Sequence, residues 1–276
     1  MSKKEQILII EAGKTDKAYW FDLFRFRELL FFLAWRDILV RYKQTFFGVA
    51  WAVLKPLITM IVFVAVFGYI AKLPSNGVPY PILVFAALLP WQFFSSAFAE
   101  AAASIVTQGN IISKIYFPRM LIPISAIIVA LVDFLISFIL LCILMVIFGF
   151  VPSWQIIFLP LFILLAFMTT IGASLLVAAL NVKYRDFRYI IPFIVQFGLY
   201  ISPVGFSSSV VPEQFRILYS LNPMVGVIDG FRWAILGGDN VLHLSSILVS
   251  TTVAIGLMWV GIWYFRRTER AFADQI

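Results

Sequence analysis

The sequence predicts an all-α, polytopic membrane protein with six transmembrane helices and both termini in the cytoplasm. Three observations carry that expectation. Hydrophobic residues make up 62% of the 276-residue chain and charged residues 13%, with a mean hydropathy of +0.99, more apolar surface than water accommodates. Apolar runs fall near 50–71, 82–104, 120–149, 156–180, 189–205 and 244–265, most of them reaching the roughly 20 residues that cross the hydrocarbon layer. Of the 21 Lys and Arg residues, 18 lie in the tails and loops on one side of these spans, and only Lys72, Arg216 and Arg232 lie on the other. Because positive residues stay cytoplasmic, that split orients the chain.

The spans leave a tail at 1–49, a membrane domain at 50–265 and a second tail at 266–276. The opening MSKKEQ lacks an early apolar core followed by a small-residue cleavage site, so the first span is expected to be its own insertion signal. Ahead of it, FRELLFFLAWRDILVRYKQT at 26–45 places Phe31, Trp35, Ile38 and Tyr42 at spacings of four, three and four, with Arg25, Arg36 and Lys43 on another face. This pattern predicts an interfacial helix whose apolar stripe enters the acyl boundary while its cations meet lipid headgroups. Between the second and third spans, Gly109 and Asn110 signal a turn and Pro118 a stop, which predicts a short helix from Ile111 to Phe117. Between the fifth and sixth, residues 206–243 are too long for a turn and too apolar for a solvated loop. Pro212, Asn222 with Pro223, and Gly237 with Gly238 divide them into two short helices. Non-helical backbone at membrane depth survives only against protein or a water-filled cavity, so a re-entrant pair here covers or lines a pathway.

Several chemistries are excluded. One cysteine, Cys142, and one histidine, His243, rule out an internal disulfide and argue against a metal cluster. The formal charge of +7 follows from membrane orientation, and a nucleic-acid surface is not expected. Gly13, Lys14 and Thr15 imitate the end of a phosphate-binding loop, but Leu8 stands where the pattern requires glycine. No cofactor is expected on this chain, and any ATP hydrolysis belongs to another. Asp133 lies mid-span in LVDFLISF with no evident intramembrane basic partner, and is read as a structural acid; Glu100 is near the cytoplasmic end of its span. The 29 Phe, 10 Tyr and 8 Trp exceed what interface belts require. Aromatic faces suit the C–H faces of sugars, and the candidates are Phe63, Phe67, Tyr69, Trp91, Phe94, Phe193, Phe197 and Tyr200, each individually accounted for by packing as well.

WRDILVRYKQTFFGVAWAVLKPL before and into the first span, ISKIYFPRMLIPIS after the second, and LNP with GFRWAILG before the last together resemble the permease subunits of bacterial polysaccharide ABC exporters. The resemblance runs from about residue 18 to the C-terminus, and residues 1–17 match no motif of that family. It implies a homodimer of six-span permeases in the bacterial inner membrane, bound to two copies of a separate ATPase that holds ATP and Mg. Its cargo would be a lipid-linked polysaccharide moved outward. By position, Trp35, Arg36, Arg41, Tyr42 and Lys43 become a gate helix. Asn110, Ser113, Lys114, Tyr116 and Phe117 become the segment that couples to the ATPase, and 206–238 the outer gate helices. A lipid or drug exporter of the same class is the alternative. A secondary transporter would show inverted hydropathy repeats, which the sequence lacks.

Overall fold

The computed structural model describes residues 16–43, 48–75, 77–112, 114, 116–237 and 242–272, and its regular structure is helical throughout. The helices are α1 (Asp16–Arg25), α2 (Arg27–Lys43), α3 (Val49–Phe63, running on as π-helix through Val64–Ile70), α4 (Tyr80–Thr107) and α5 (Gly109–Ile112). Then follow α6 (Leu121–Ile147), α7 (Leu159–Lys183, entered through a 3-10 turn at Trp154–Phe158), α8 (Phe187–Ile201), α9 (Glu213–Tyr219), α10 (Pro223–Leu236) and α11 (Leu244–Thr268). Among the described residues, five stretches are long and apolar enough to cross a membrane: Ala50–Ile70, Tyr80–Thr107, Leu121–Ile147, Trp154–Lys183 and Leu244–Ala271. The chain is therefore a multi-pass membrane protein.

α4 is the hub. It is buried along most of its length from Ile82 to Ile105, with Gln92, Ser96 and Glu100 as a polar stripe on one face, and a helix so apolar elsewhere must be surrounded. α3, α6, α7, α8 and α10 pack around it, while α3 and α11 leave most of their own surface outward. Local sequence sets the ends of these helices. α6 stops where Gly149 takes a φ of 62°. The Phe150 amide then bonds the Met145 carbonyl at 2.8 Å and the Gly149 amide bonds Val146 at 3.1 Å, the paired bonds of a Schellman end. α10 starts on Asn222, whose side chain accepts the Met224 amide at 3.1 Å, with Pro223 at the first helical position.

α7 and α11 cross at two glycines. A Cβ added to Gly261 would lie 2.2 Å from the Gly172 carbonyl oxygen, and one on Gly172 would lie 2.5 Å from the Met258 nitrogen. The two backbones are in direct contact, the close approach that small residues permit between membrane helices.

The run expected as a span at 189–205 is the exception in length. α8 has 15 residues, about 22 Å, short of the roughly 30 Å core. The chain then continues as irregular backbone in which Ser202 and Val204 are fully buried. Such backbone needs internal partners, and Arg232 of α10 supplies most of them. Its Nη2 donates to the Val204 carbonyl at 2.8 Å, Nη1 to Phe206 at 2.5 Å and Nε to Leu83 of α4 at 3.3 Å. The Tyr80 hydroxyl donates to the Gly205 carbonyl at 3.0 Å, and Asn222 donates to the Ser202 hydroxyl at 3.0 Å. Burial pushes the Arg232 guanidinium down to about 10, so it is still charged at neutral pH.

Arg232, counted from sequence as a loop charge, is thus only 4% exposed and pins an interrupted helix to the core. Arg232→Met is expected to strand three carbonyls and lower stability by about 3 kcal/mol, read as earlier thermal unfolding in detergent. Arg232→Lys recovers only part, because a single ammonium cannot span the same fork.

The two helices expected within 206–243 are α9 and α10, and they differ in kind. α9 shows Phe215, Ile217 and Leu218 outward, whereas α10 is almost wholly buried, packed on α4, α7 and α11. Residues 238–241, including the expected stop at Gly238, lie outside the described residues.

Candidate functional site

The segment expected as one interfacial helix at 26–45 is a single helix where it is described, and a separate helix precedes it. α1 ends at Arg25 and α2 runs from Arg27 to Lys43, with 44 and 45 outside the described residues. α1 is fastened to the far end of the chain, where the Tyr19 hydroxyl donates to Glu269 at 2.8 Å and the Arg266 guanidinium lies 4.4 Å over the Tyr19 ring.

α2 does not merely rest on a headgroup plane, because Leu33, Asp37 and Arg41, four residues apart, share one face. Leu33 is buried among Ile105, Phe117 and Leu121, and α2 packs along α6. Two turns on, Arg41 reaches into the bundle. Its Nη1 bonds Asp133 of α6 at 2.5 Å, and its Nη2 bonds Glu100 of α4. The neighbouring Tyr42 hydroxyl donates to the other Asp133 oxygen.

This corrects the reading of Asp133 as an acid without a basic partner. The partner lies in a segment assigned to the membrane surface, 92 residues earlier in the chain. Burial, then the Asp133 hydrogen bond, push the Tyr42 hydroxyl well above the usual tyrosine range, so it remains a neutral donor. Burial pulls the Arg41 guanidinium down, but Glu100 and then Asp133 outweigh it and hold the group above its ordinary value. One guanidinium, forked between two carboxylates, therefore ties a peripheral helix to two spans. The other members of the expected gate set face outward: Trp35 and Lys43 are exposed, and Arg36 pairs with its neighbour Asp37 at 2.8 Å.

The expected helix at Ile111–Phe117 is also corrected. Helix occupies only Gly109–Ile112, followed by turns. Ile112 and Phe117 are both buried in the cluster that holds Leu33, yet five residues apart they would stand about 140° apart on one helix. Leaving the helix after Ile112 lets both face inward. Asn110, Lys114 and Tyr116 are exposed at the same end of the molecule, and Ser113 lies outside the described residues.

The eight candidate pathway aromatics divide between α3, α4 and α8. Trp91 and Phe94 are buried in α4, their rings 5.6 Å apart. α8 leans on them at Gly198, where a Cβ would lie 2.5 Å from the Trp91 ring. Phe63 is buried, the half-buried Phe67 ring lies tilted 5.4 Å from it, and both close on Gly205. Tyr69, Phe193, Phe197 and Tyr200 are exposed, with Phe193 and Phe197 4.1 Å apart. With Trp51, Ile58 and Ile61 of α3, also exposed, they form aromatic and aliphatic faces on two helices that have few packing partners here.

Sequence reasoning missed four participants: Glu100 and Asp133 as the receivers of Arg41, Gly198 as the contact for Trp91, and Arg232 as a backbone clamp. Only Arg232 carried a readable signal, a lone guanidinium inside the apolar run GFRWAIL. Among the described residues no group of three or more His, Cys, Asp or Glu side chains could hold a metal ion.

Comparison with known proteins gives these features a setting. The chain is 26% identical to the O-antigen export system permease protein RfbA of Myxococcus xanthus, over 92% of this chain and 98% of that one. It is equally 26% identical to a Klebsiella pneumoniae protein of the same name, over 95% and 97%. To the polysialic acid transport protein KpsM of Escherichia coli it is 24% identical, over 86% and 92%. Residues 28–236, from the start of α2 to the end of α10, match the model of the ABC-2 type transporter family, and the chain belongs to that family.

Proposed function

We propose that this protein is the membrane permease of an ATP-driven exporter that moves a lipid-linked polysaccharide outward across the bacterial inner membrane. The observation that carries this reading is the similarity to O-antigen export permeases along nearly the whole of both chains. The helix arrangement supports it. The end bearing α1, α2, α5 and the termini of α4, α7 and α11 carries nearly all the Lys and Arg and is assigned to the cytoplasm, with α8 as a sixth, short crossing.

Two copies are inferred to meet over the outward faces of α3 and α8. An apolar face rich in Phe and Tyr on both subunits would then enclose a path suited to sugar rings. Hydrolysis of ATP, with its Mg, is assigned to a separate subunit. This chain's contribution at that contact is the exposed trio Asn110, Lys114 and Tyr116, held from beneath by buried Ile112 and Phe117.

Lys114→Glu with Tyr116→Ala tests the coupling assignment, because both side chains are outward and the fold does not depend on them. Expected is loss of the co-purifying ATPase subunit by about tenfold or more, as for interface anchors worth at least 1.4 kcal/mol, with the permease still monodisperse. Undiminished co-purification would remove 109–117 as the docking segment. A lipid or drug exporter of the same family is separated from the polysaccharide reading by the substrate that accumulates inside cells lacking the gene.

A further inference from the structure

The cleft between the basic ends of α7 and α11 has no part in the features above. It is an open groove of about 350 Å³ with Ala179 and Phe272 at its floor and Lys183, Trp263, Arg267 and Thr268 around it. Lys183 and Arg267 are exposed. The Lys183 ammonium lies 5.0 Å over the Tyr184 ring, and the Arg267 guanidinium 5.4 Å over the Trp263 ring.

Neither cation forms an ion pair among the described residues, where the four pairs use other groups. The carboxylate two residues after Arg267, Glu269 just past the end of α11, is occupied elsewhere by the Tyr19 hydroxyl. Two cations held by aromatic faces therefore line a groove in which no described residue is a compensating acid. Depth comes from an independent feature. Trp263 stacks nearly parallel with Trp259 at 6.4 Å, and both rings are exposed on a helix that shows most of its surface outward. Paired outward tryptophans mark the headgroup level of a bilayer.

We propose that this groove binds the headgroup of an anionic glycerophospholipid of the leaflet on the basic side. Arg267 presents its planar fork to the phosphate oxygens and Lys183 adds a second charge, while the exposed edges of Trp263 and Trp259 border the first acyl carbons. Basic pockets between membrane helices on the cytoplasmic side recognise such headgroups. A soluble phosphate would satisfy the cations equally but gains nothing from the outward tryptophans, so the lipid is the favoured source. The proposal does not depend on what the protein transports.

The test is native mass spectrometry of the full chain in detergent, exchanged against phosphatidylglycerol, phosphatidylcholine or inorganic phosphate. Expected is one phosphatidylglycerol retained per chain, preferred over phosphatidylcholine by roughly tenfold and not displaced by excess inorganic phosphate. Lys183→Gln with Arg267→Gln loses that preference, while Arg27→Gln with Arg188→Gln, which removes the same charge from exposed positions on α2 and α8, retains it. Lys183→Gln alone, at an exposed position, gives a weaker loss and serves if the double variant fails to fold. Equal retention of the two lipids, retention by the groove variants, displacement by phosphate, or equal loss in the control pair would each overturn the proposal.

Discussion

Gly172→Leu is expected to leave almost no folded protein. Any side chain at this position starts 2.5 Å from the backbone of α11, with the Leu257 carbonyl carbon at 2.6 Å and the Met258 Cα at 2.6 Å. Backbone cannot swing aside as a flexible side chain can, so α7 and α11 must separate along their whole contact. Overpacking of an ordinary core costs about 1–3 kcal/mol; a clash against main chain in the central crossing belongs at or above the upper end. The readout is the fraction of detergent-extracted protein eluting as a single species. Gly256→Leu is the control on the same α11, because a Cβ there meets nothing within 4 Å. If Gly172→Leu matched Gly256→Leu in yield and thermal midpoint, the close crossing would be wrong.

Arg41→Gln is expected to stop export and to loosen the fold only modestly. The change leaves Glu100 and Asp133 facing one another without their shared cation. Both carboxylates and the guanidinium keep roughly a third of their side-chain surface open. The cost therefore lies between the exposed-pair and buried-pair limits, at about 2 kcal/mol. Export is expected to fall at least tenfold, since α2 is held to α4 and α6 at this end chiefly by that fork.

The triple change Arg41→Gln, Glu100→Gln, Asp133→Asn separates the two effects. With no charge left unpaired, the thermal midpoint returns close to that of the parent, while export stays low because the ionic fork between α2 and the spans is gone. Normal export in the triple variant would show that the cluster only supports the fold.

The elements that were legible in the sequence are those fixed by solvent. Apolar runs such as LIPISAIIVALVDFLISFILLCILMVI can satisfy their backbone in lipid only as helix, so α4, α6, α7 and α11 follow from composition and length. The breaks at Gly149 and at Asn222 with Pro223 follow from backbone chemistry. What was not legible depends on pairings across the chain. Arg41 looks like any headgroup-facing cation until α2 is laid along α6, and only then do Leu33 and Arg41 share a face over Glu100 and Asp133.

The same holds for Phe117. A turn signal and a proline stop suggested a helix up to it, but its burial beside Leu33 and Ile112 forces the chain out of helix after four residues. The π-helical stretch Val64–Ile70 had no signal either. It is seen in the amide of Ala71 bonding the Val66 carbonyl at 2.9 Å, a register that no residue pattern in VAVFGYI announces. The shortness of α8 was hidden because Ser202–Phe206 is apolar enough to pass for helix, and only Arg232, 26 to 30 residues later, shows what satisfies its carbonyls.

The most direct measurement of the permease assignment is polymer movement in proteoliposomes that contain this chain together with a candidate ATPase subunit. Expected is transfer of lipid-linked polysaccharide across the bilayer that requires both chains and ATP, and that is lost with Lys114→Glu plus Tyr116→Ala. Transfer by this chain alone, or none when both chains are bound and ATP is hydrolysed, would contradict it.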